Sequence, residues 1–151
     1  AGEMGKTRGF TLIELLVTIA VLSVLAMMAA PVLSALIYKS QLNMDARDFT
    51  DKLVEIRSNA ILSQKEQSLS LDVNQDAAWK PSNKVDWDRG QPTITALSYN
   101  AMGRLNSANN LCFILKSKKD ETMKAVIIAR RSGLVIFDKS FTACPTNLGT
   151  E

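Results

Sequence analysis

At 151 residues the chain has room for one modest domain and a long segment, and a second independent core is hard to accommodate. Its formal net charge of +3 arises from 18 Lys and Arg set against 15 Asp and Glu, interleaved along most of the chain, so no basic block demands a nucleic acid partner. Histidine is absent and cysteine occurs twice, as Cys112 and Cys144, which excludes a His-containing zinc site or a Ser-His-Asp triad; no paired-carboxylate or nucleophile motif points to an enzyme or to a cofactor.

In chain order, Lys6 and Arg8 come first, then Gly9, then an apolar run that opens as Phe10-Thr11-Leu12-Ile13-Glu14-Leu15-Leu16-Val17. It continues to Tyr38 through Pro31, with no charged residue from Leu15 to Tyr38. A secretory signal peptide carries its cleavage site after the apolar core, whereas here the small residue stands before it. As a helix, Leu15 to Tyr38 extends roughly 36 Å against a bilayer core of about 30 Å, which reads as a transmembrane helix with Lys6 and Arg8 on the cytoplasmic side. Gly5-Lys6-Thr7 lacks the earlier Gly, the spacer and the preceding strand of a phosphate-binding loop and is read as leader.

Glu14 is the anomaly in this run. A carboxylate at mid-helix costs about 2.5 to 3.5 kcal/mol on insertion scales, and the following turns hold no Lys, Arg or His to pair with it. Hydrolysis of the Gly9–Phe10 bond would create an α-amino group, and Glu14 of a neighbouring chain could then pair with it; the helix N-terminus also suits a negative charge. Snorkelling of the side chain to the interface is the bland alternative.

Gly9-Phe10-Thr11-Leu12-Ile13-Glu14-Leu15 resembles the prepilin processing site of type IV pilins and type II secretion pseudopilins. The resemblance implies cleavage after Gly9 by a prepilin peptidase, N-methylation of Phe10, and a filament-assembly role for Glu14. Pro31 is similar to the helix-kinking proline of many pilins. On this reading residues 1–9 are the leader, with Ala1 to Glu3 an upstream remnant, and residues 10–38 form the transmembrane and filament-core helix. The implied partners are other major and minor pilins, the peptidase, an inner-membrane assembly platform and the lipid bilayer. The implied location is the bacterial inner membrane before assembly, then a periplasmic or extracellular filament.

Over residues 39–66 the pattern becomes amphipathic: Leu42, Ala46, Phe49, Leu53, Ile56 and Ala60 recur at intervals of four and three. Lys39, Asp45, Arg47, Asp48, Asp51, Lys52, Glu55 and Arg57 lie between them and are expected to face water. The stripe spans too few heptads for a convincing coiled coil and is expected to pack on a sheet. The helix is predicted from Thr11 to about Gln64.

Residues 67–151 read as a β-rich head. Ser68 to Val73 alternates apolar and polar residues, and Thr93 to Tyr99, Leu111 to Lys116, Met123 to Ala129 and Leu134 to Phe137 are further strands. Residues 74–91 form a polar loop with one short strand near Val85; its Trp79 and Trp87 are expected to pack rather than to stack on a ligand. Arg130-Arg131-Ser132-Gly133 is the tightest turn. The fold class expected is therefore α+β, a long N-terminal helix, transmembrane then amphipathic, packed on an antiparallel β-sheet domain.

Cys112 and Cys144, in a chain read as exported, are expected to form a disulfide, with two buried free thiols as the alternative. Within the pilin group the chain resembles the GspH/FimT/FimU minor subunits, through Ser98-Tyr99-Asn100-Ala101-Met102-Gly103-Arg104 and the Gly133 turn. The function this implies is that of a minor type IV pilin acting at the start or tip of a pilus. A type II secretion pseudopilin and a DNA-binding minor pilin for natural transformation are the alternatives. For DNA, the candidate contacts are Lys116, Lys118, Lys119, Lys124, Arg130 and Arg131, with Lys118, Lys119, Arg130 and Arg131 singled out; the Gly-Arg-x-Arg pattern of the DNA-binding relatives is not present, since Gly133-Leu134-Val135-Ile136 stands where it is sought and Gly103-Arg104-Leu105-Asn106 supplies one arginine.

Overall fold

The computed structural model describes residues 9–146, so Lys6, Arg8 and the leader up to them lie outside the described residues. Helix α1 runs Leu12–Ser63, and six strands follow: β1 (Gln67–Ser70), β2 (Val85–Trp87), β3 (Ala96–Tyr99), β4 (Leu111–Ser117), β5 (Lys124–Ala129) and β6 (Val135–Asp138). The chain divides into two units between Ile37 and Tyr38, with α1 contributing to both.

In the first unit α1 is apolar, exposed all round and uninterrupted by Pro31. Proline cannot donate to the carbonyl one turn back, but the rest of the ladder carries the helix through it. Leu12 to Ile37 rises about 38 Å, long enough to cross a membrane.

In the second unit the stripe Leu42, Ala46, Phe49, Leu53, Ile56 and Ala60 is buried and joins one core with both sheets. Phe49 is its centre. Its ring centroid lies 4.7 Å from Trp79, 5.7 Å from Trp87 and 5.1 Å from Phe113, so both tryptophans are packing residues. The helix stops at Gln64, whose positive φ of 55° lets the Lys65 N–H reach back to the Ala60 carbonyl at 3.2 Å.

The strands form two antiparallel sheets where the sequence suggested one. β1 pairs with β3, and the second sheet has the order β2-β4-β5-β6. β1 and β3 are shorter than their apolar patterns. Asp72 ends the first by taking the Asn74 N–H in a local turn, and Pro92, which offers no N–H, precedes the bends before the second. Leu105 links the sheets: it bridges Tyr99 on β3 and donates its N–H to the Arg131 carbonyl at 3.0 Å.

β4 and β5 are buried on both faces, which explains the unbroken apolar run of β5. Phe113, Leu115, Ala125, Ile127 and Ala129 face the helix. Ile114, Val126 and Ile128 form a second cluster on the other face, covered by Ile136, Phe141 and the two cysteines.

Candidate functional site

The start of α1 is built by four consecutive residues. Thr11 precedes the helix and its Oγ1 accepts the Glu14 N–H at 3.1 Å, while Glu14 Oε2 accepts the Thr11 N–H at 3.4 Å. This is a reciprocal capping box, Thr-x-x-Glu, which satisfies two backbone donors that a helix start leaves open. Glu14 thus has a local hydrogen-bond partner that is a backbone N–H and not a cation, and the signal was present in the Thr11-to-Glu14 spacing. One weak backbone contact leaves most of the carboxylate's acceptor capacity open. Around it, Phe10, Ile13, Glu14, Val17 and Thr18 line a shallow, mostly apolar depression of about 400 Å³ in which Glu14 is the one charged group.

Gly9 and Phe10 lie before the helix and are exposed, Phe10 at 79%. A Cβ added at Gly9 meets nothing within 4 Å, so the chain's own packing does not require glycine there.

The four cations singled out for DNA fall into two pairs. Lys118 and Lys119 lie in the β4–β5 turn, and Arg130 and Arg131 lie in the β5–β6 turn at the other end of β5, a strand about 17 Å long. Of the cations near them, Lys116 pairs with Glu121 at 3.0 Å and Lys124 with Asp88 at 3.1 Å. Burial works to raise the Asp88 pKa, but the Lys124 hydrogen bond, a backbone N–H and the nearby lysine charges outweigh it and hold that carboxyl below its usual range.

Of the charged helix residues expected to face water, Asp45 and Arg57 are drawn into the head, and Asp48 stays exposed while bonding to it. Asp45 is only 8% exposed; its carboxylate accepts the Ser82 N–H at 2.8 Å and the Gln41 Nε2–H at 2.9 Å. Asp48 accepts the Trp79 Nε1–H at 2.9 Å. Together they fasten the long polar loop to the helix. Arg57 is half-buried and donates Nε–H to the Gly103 carbonyl at 2.8 Å, under the turn that carries Gly133.

Cys112 on β4 and Cys144 in the C-terminal segment are disulfide-bonded, with Cα atoms 6.0 Å apart. The bond ties that segment over the outer face of the second sheet.

A family model, the prokaryotic N-terminal methylation motif, matches residues 4–30. Among solved structures, the type IV minor pilin FimU of Pseudomonas aeruginosa strain PAO1, in a P21 crystal, aligns with a TM-score of 0.56 at 13% identity over 73% of this chain and 96% of that one. A second crystal form of FimU, in P65, gives 0.53 at 12% identity over 72% and 100%. A search of the curated proteins gives no match. At these identities the structural likeness speaks for the fold, and the motif speaks for the N-terminus. The chain thus joins a prokaryotic N-terminal methylation motif to a fold similar to that of the type IV minor pilin FimU.

Proposed function

We propose that the chain is a minor type IV pilin, held in the inner membrane by its apolar helix and passed from there into the start or tip of a pilus. The observation that carries this reading is one carboxylate, Glu14, at the head of an exposed and otherwise apolar run inside the matched motif. Hydrolysis of the Gly9–Phe10 bond frees the Phe10 amine, and N-methylation leaves it a cation. Packed side by side, the apolar helices exchange lipid contacts for van der Waals contacts with one another, which favours association and no particular register. The charge pair supplies the register. Away from water an amine and a carboxylate attract strongly when matched, and a slip by one turn strands both in hydrocarbon.

The partners on this reading are a prepilin peptidase, other pilins and an inner-membrane assembly platform. The test uses the full chain expressed with its peptidase and pilus machinery. Intact mass should equal the chain from Phe10 onward plus one methyl group. Glu14→Ala should be cut and inserted but largely missing from sheared filaments. A retained leader, or unchanged incorporation of Glu14→Ala, overturns the proposal.

A further inference from the structure

Arginines from three stretches of the head come together where its two sheets join. Arg57 donates Nε–H to the Gly103 carbonyl at 2.8 Å, and a Cβ on Gly133 would lie 3.0 Å from its guanidinium carbon. Arg104 follows Gly103 directly, and its carbonyl accepts the Asn100 N–H at 3.0 Å to close that turn. Arg130 and Arg131 open the turn that Gly133 completes: the Arg130 carbonyl accepts the Gly133 N–H at 2.9 Å, and the Arg131 carbonyl accepts the Leu105 N–H at 3.0 Å.

Among the described residues no carboxylate pairs with any of the four. The reason is visible in the chain, which has no Asp or Glu between Asp88 and Asp120 or between Glu121 and Asp138. On the helix, the residues three and four away from Arg57 are Leu53, Val54, Ala60 and Ile61. Glu55 pairs with Lys52, and Glu66, next to the Gln67 that pairs with Tyr99, is exposed and forms no ion pair among the described residues. The Arg130 Nε is buried without a hydrogen-bond partner among them, so this chain alone leaves that guanidinium unsatisfied.

The same turns expose apolar side chains. Met102, beside Gly103, is 76% exposed, and Leu134, beside Gly133, is 54% exposed. Neither turn carries a lysine. Arg and Met without Lys is the composition of a protein–protein interface, where the first two are enriched and lysine is depleted. A nucleic acid backbone would use the cations and leave Met102 and Leu134 unmatched.

We propose that Arg57, Arg104, Arg130 and Arg131, with Met102 and Leu134, form a docking surface for another protein whose contacting segment carries carboxylates beside aliphatic side chains. A guanidinium takes a carboxylate in two parallel hydrogen bonds, which fix orientation as well as charge. The surface lies wholly in the second unit and makes no use of Glu14, so it stands or falls apart from the assembly role proposed above.

The test is fluorescence anisotropy of the full chain in neutral detergent micelles, with a labelled peptide of repeated Glu-Glu-Leu, its Gln-Gln-Leu counterpart and a labelled DNA duplex as probes. The acidic peptide should bind at least about tenfold more tightly than the Gln version. The side chains of Arg104 and Arg131 make no hydrogen bond among the described residues, so Arg104→Gln/Arg131→Gln spares the turns and should weaken the acidic peptide at least about tenfold. Lys84→Gln/Lys118→Gln, which removes equal charge at the other end of β5, should change it less than about twofold. Arg104→Lys/Arg131→Lys should weaken it about threefold although charge is kept. Met102→Ser/Leu134→Ser should weaken the peptide at least about threefold and leave DNA unaffected. Equal losses from the arginine and lysine pairs reduce the effect to net charge and overturn the surface. No binding of the acidic peptide at low salt overturns it as well. DNA binding tighter than that of the peptide, lost with the arginines and indifferent to Met102→Ser/Leu134→Ser, overturns it in favour of a nucleic acid.

Discussion

Tyr99 is wholly buried beneath the helix, and its hydroxyl has no hydrogen-bond partner among the described residues. Burial pushes its pKa up from 10.0 to about 12, with the Arg57 charge opposing and losing. Below pH 10 the residue is neutral folded or unfolded, and it adds no slope. Above that the unfolded tyrosine ionises first while the folded one keeps its proton to about 12, so stability is lost as pH rises through this window, by roughly 2 to 3 kcal/mol. Tyr99→Phe should remove that loss with little effect at neutral pH, measured by urea unfolding at pH 8, 10 and 11.5; an unchanged alkaline slope would contradict the assignment. At this scale the sequence is legible where a residue departs from its surroundings. Glu14 is an acid among aliphatics, and Gly9 and Phe10 sit at the junction of cations and an apolar run. The partners of Asp45, Asp48 and Arg57 were not legible, because a charge on an amphipathic helix carries no sign of the distant group it bonds to. Ser82, Trp79 and Gly103 are far away in sequence and carry no reciprocal mark.

The elements were more legible than their assembly. The three-and-four spacing of Leu42 to Ala60 marks the buried face of α1, and the six strands lie where apolar residues alternate with polar ones or cluster. The division into two sheets was hidden, since strand pattern fixes which face is buried and not which neighbour a strand takes. The junction of the sheets depends on backbone proximity. Gly133, at φ 101°, lies so close to the Gly103 carbonyl and the Arg57 guanidinium that a Cβ would collide with both. Gly103, at φ 81°, leaves only 2.7 Å between an added Cβ and Ile61 Cδ1. The methyl of Ile61 can shift, while the carbonyl and its bonded guanidinium cannot move without breaking their own contact. Gly133→Ala should therefore cost about 2 to 4 kcal/mol, from the left-handed backbone and the collision together. Gly103→Ala should cost less, and urea midpoints of the two variants would check the order.

On the scale of the molecule, the division between Ile37 and Tyr38 separates two kinds of stability. The described residues of the apolar unit form no core of their own, and its helix depends on a membrane or on neighbouring chains to cover it. The head carries its own core, with the disulfide closing a loop of sequence separation 32 and holding Phe141 against Ile114, Val126 and Ile128. Loop closure of that length is worth roughly 3 to 4 kcal/mol in the chain-entropy model. Perturbations should then sort by unit. In vesicles, Glu14→Ala should leave the urea midpoint of the head within about 0.5 kcal/mol of the parent, because distant sites with no shared partners act independently. Cys112→Ser/Cys144→Ser should lower it by about 3 kcal/mol, and reductant should lower the parent to nearly the same level while leaving the double variant unaffected. The comparison separates the bond from its packing: if the variant is much weaker than the reduced parent, the sulfur atoms contribute as buried groups beside Phe141, and the cross-link is the smaller part.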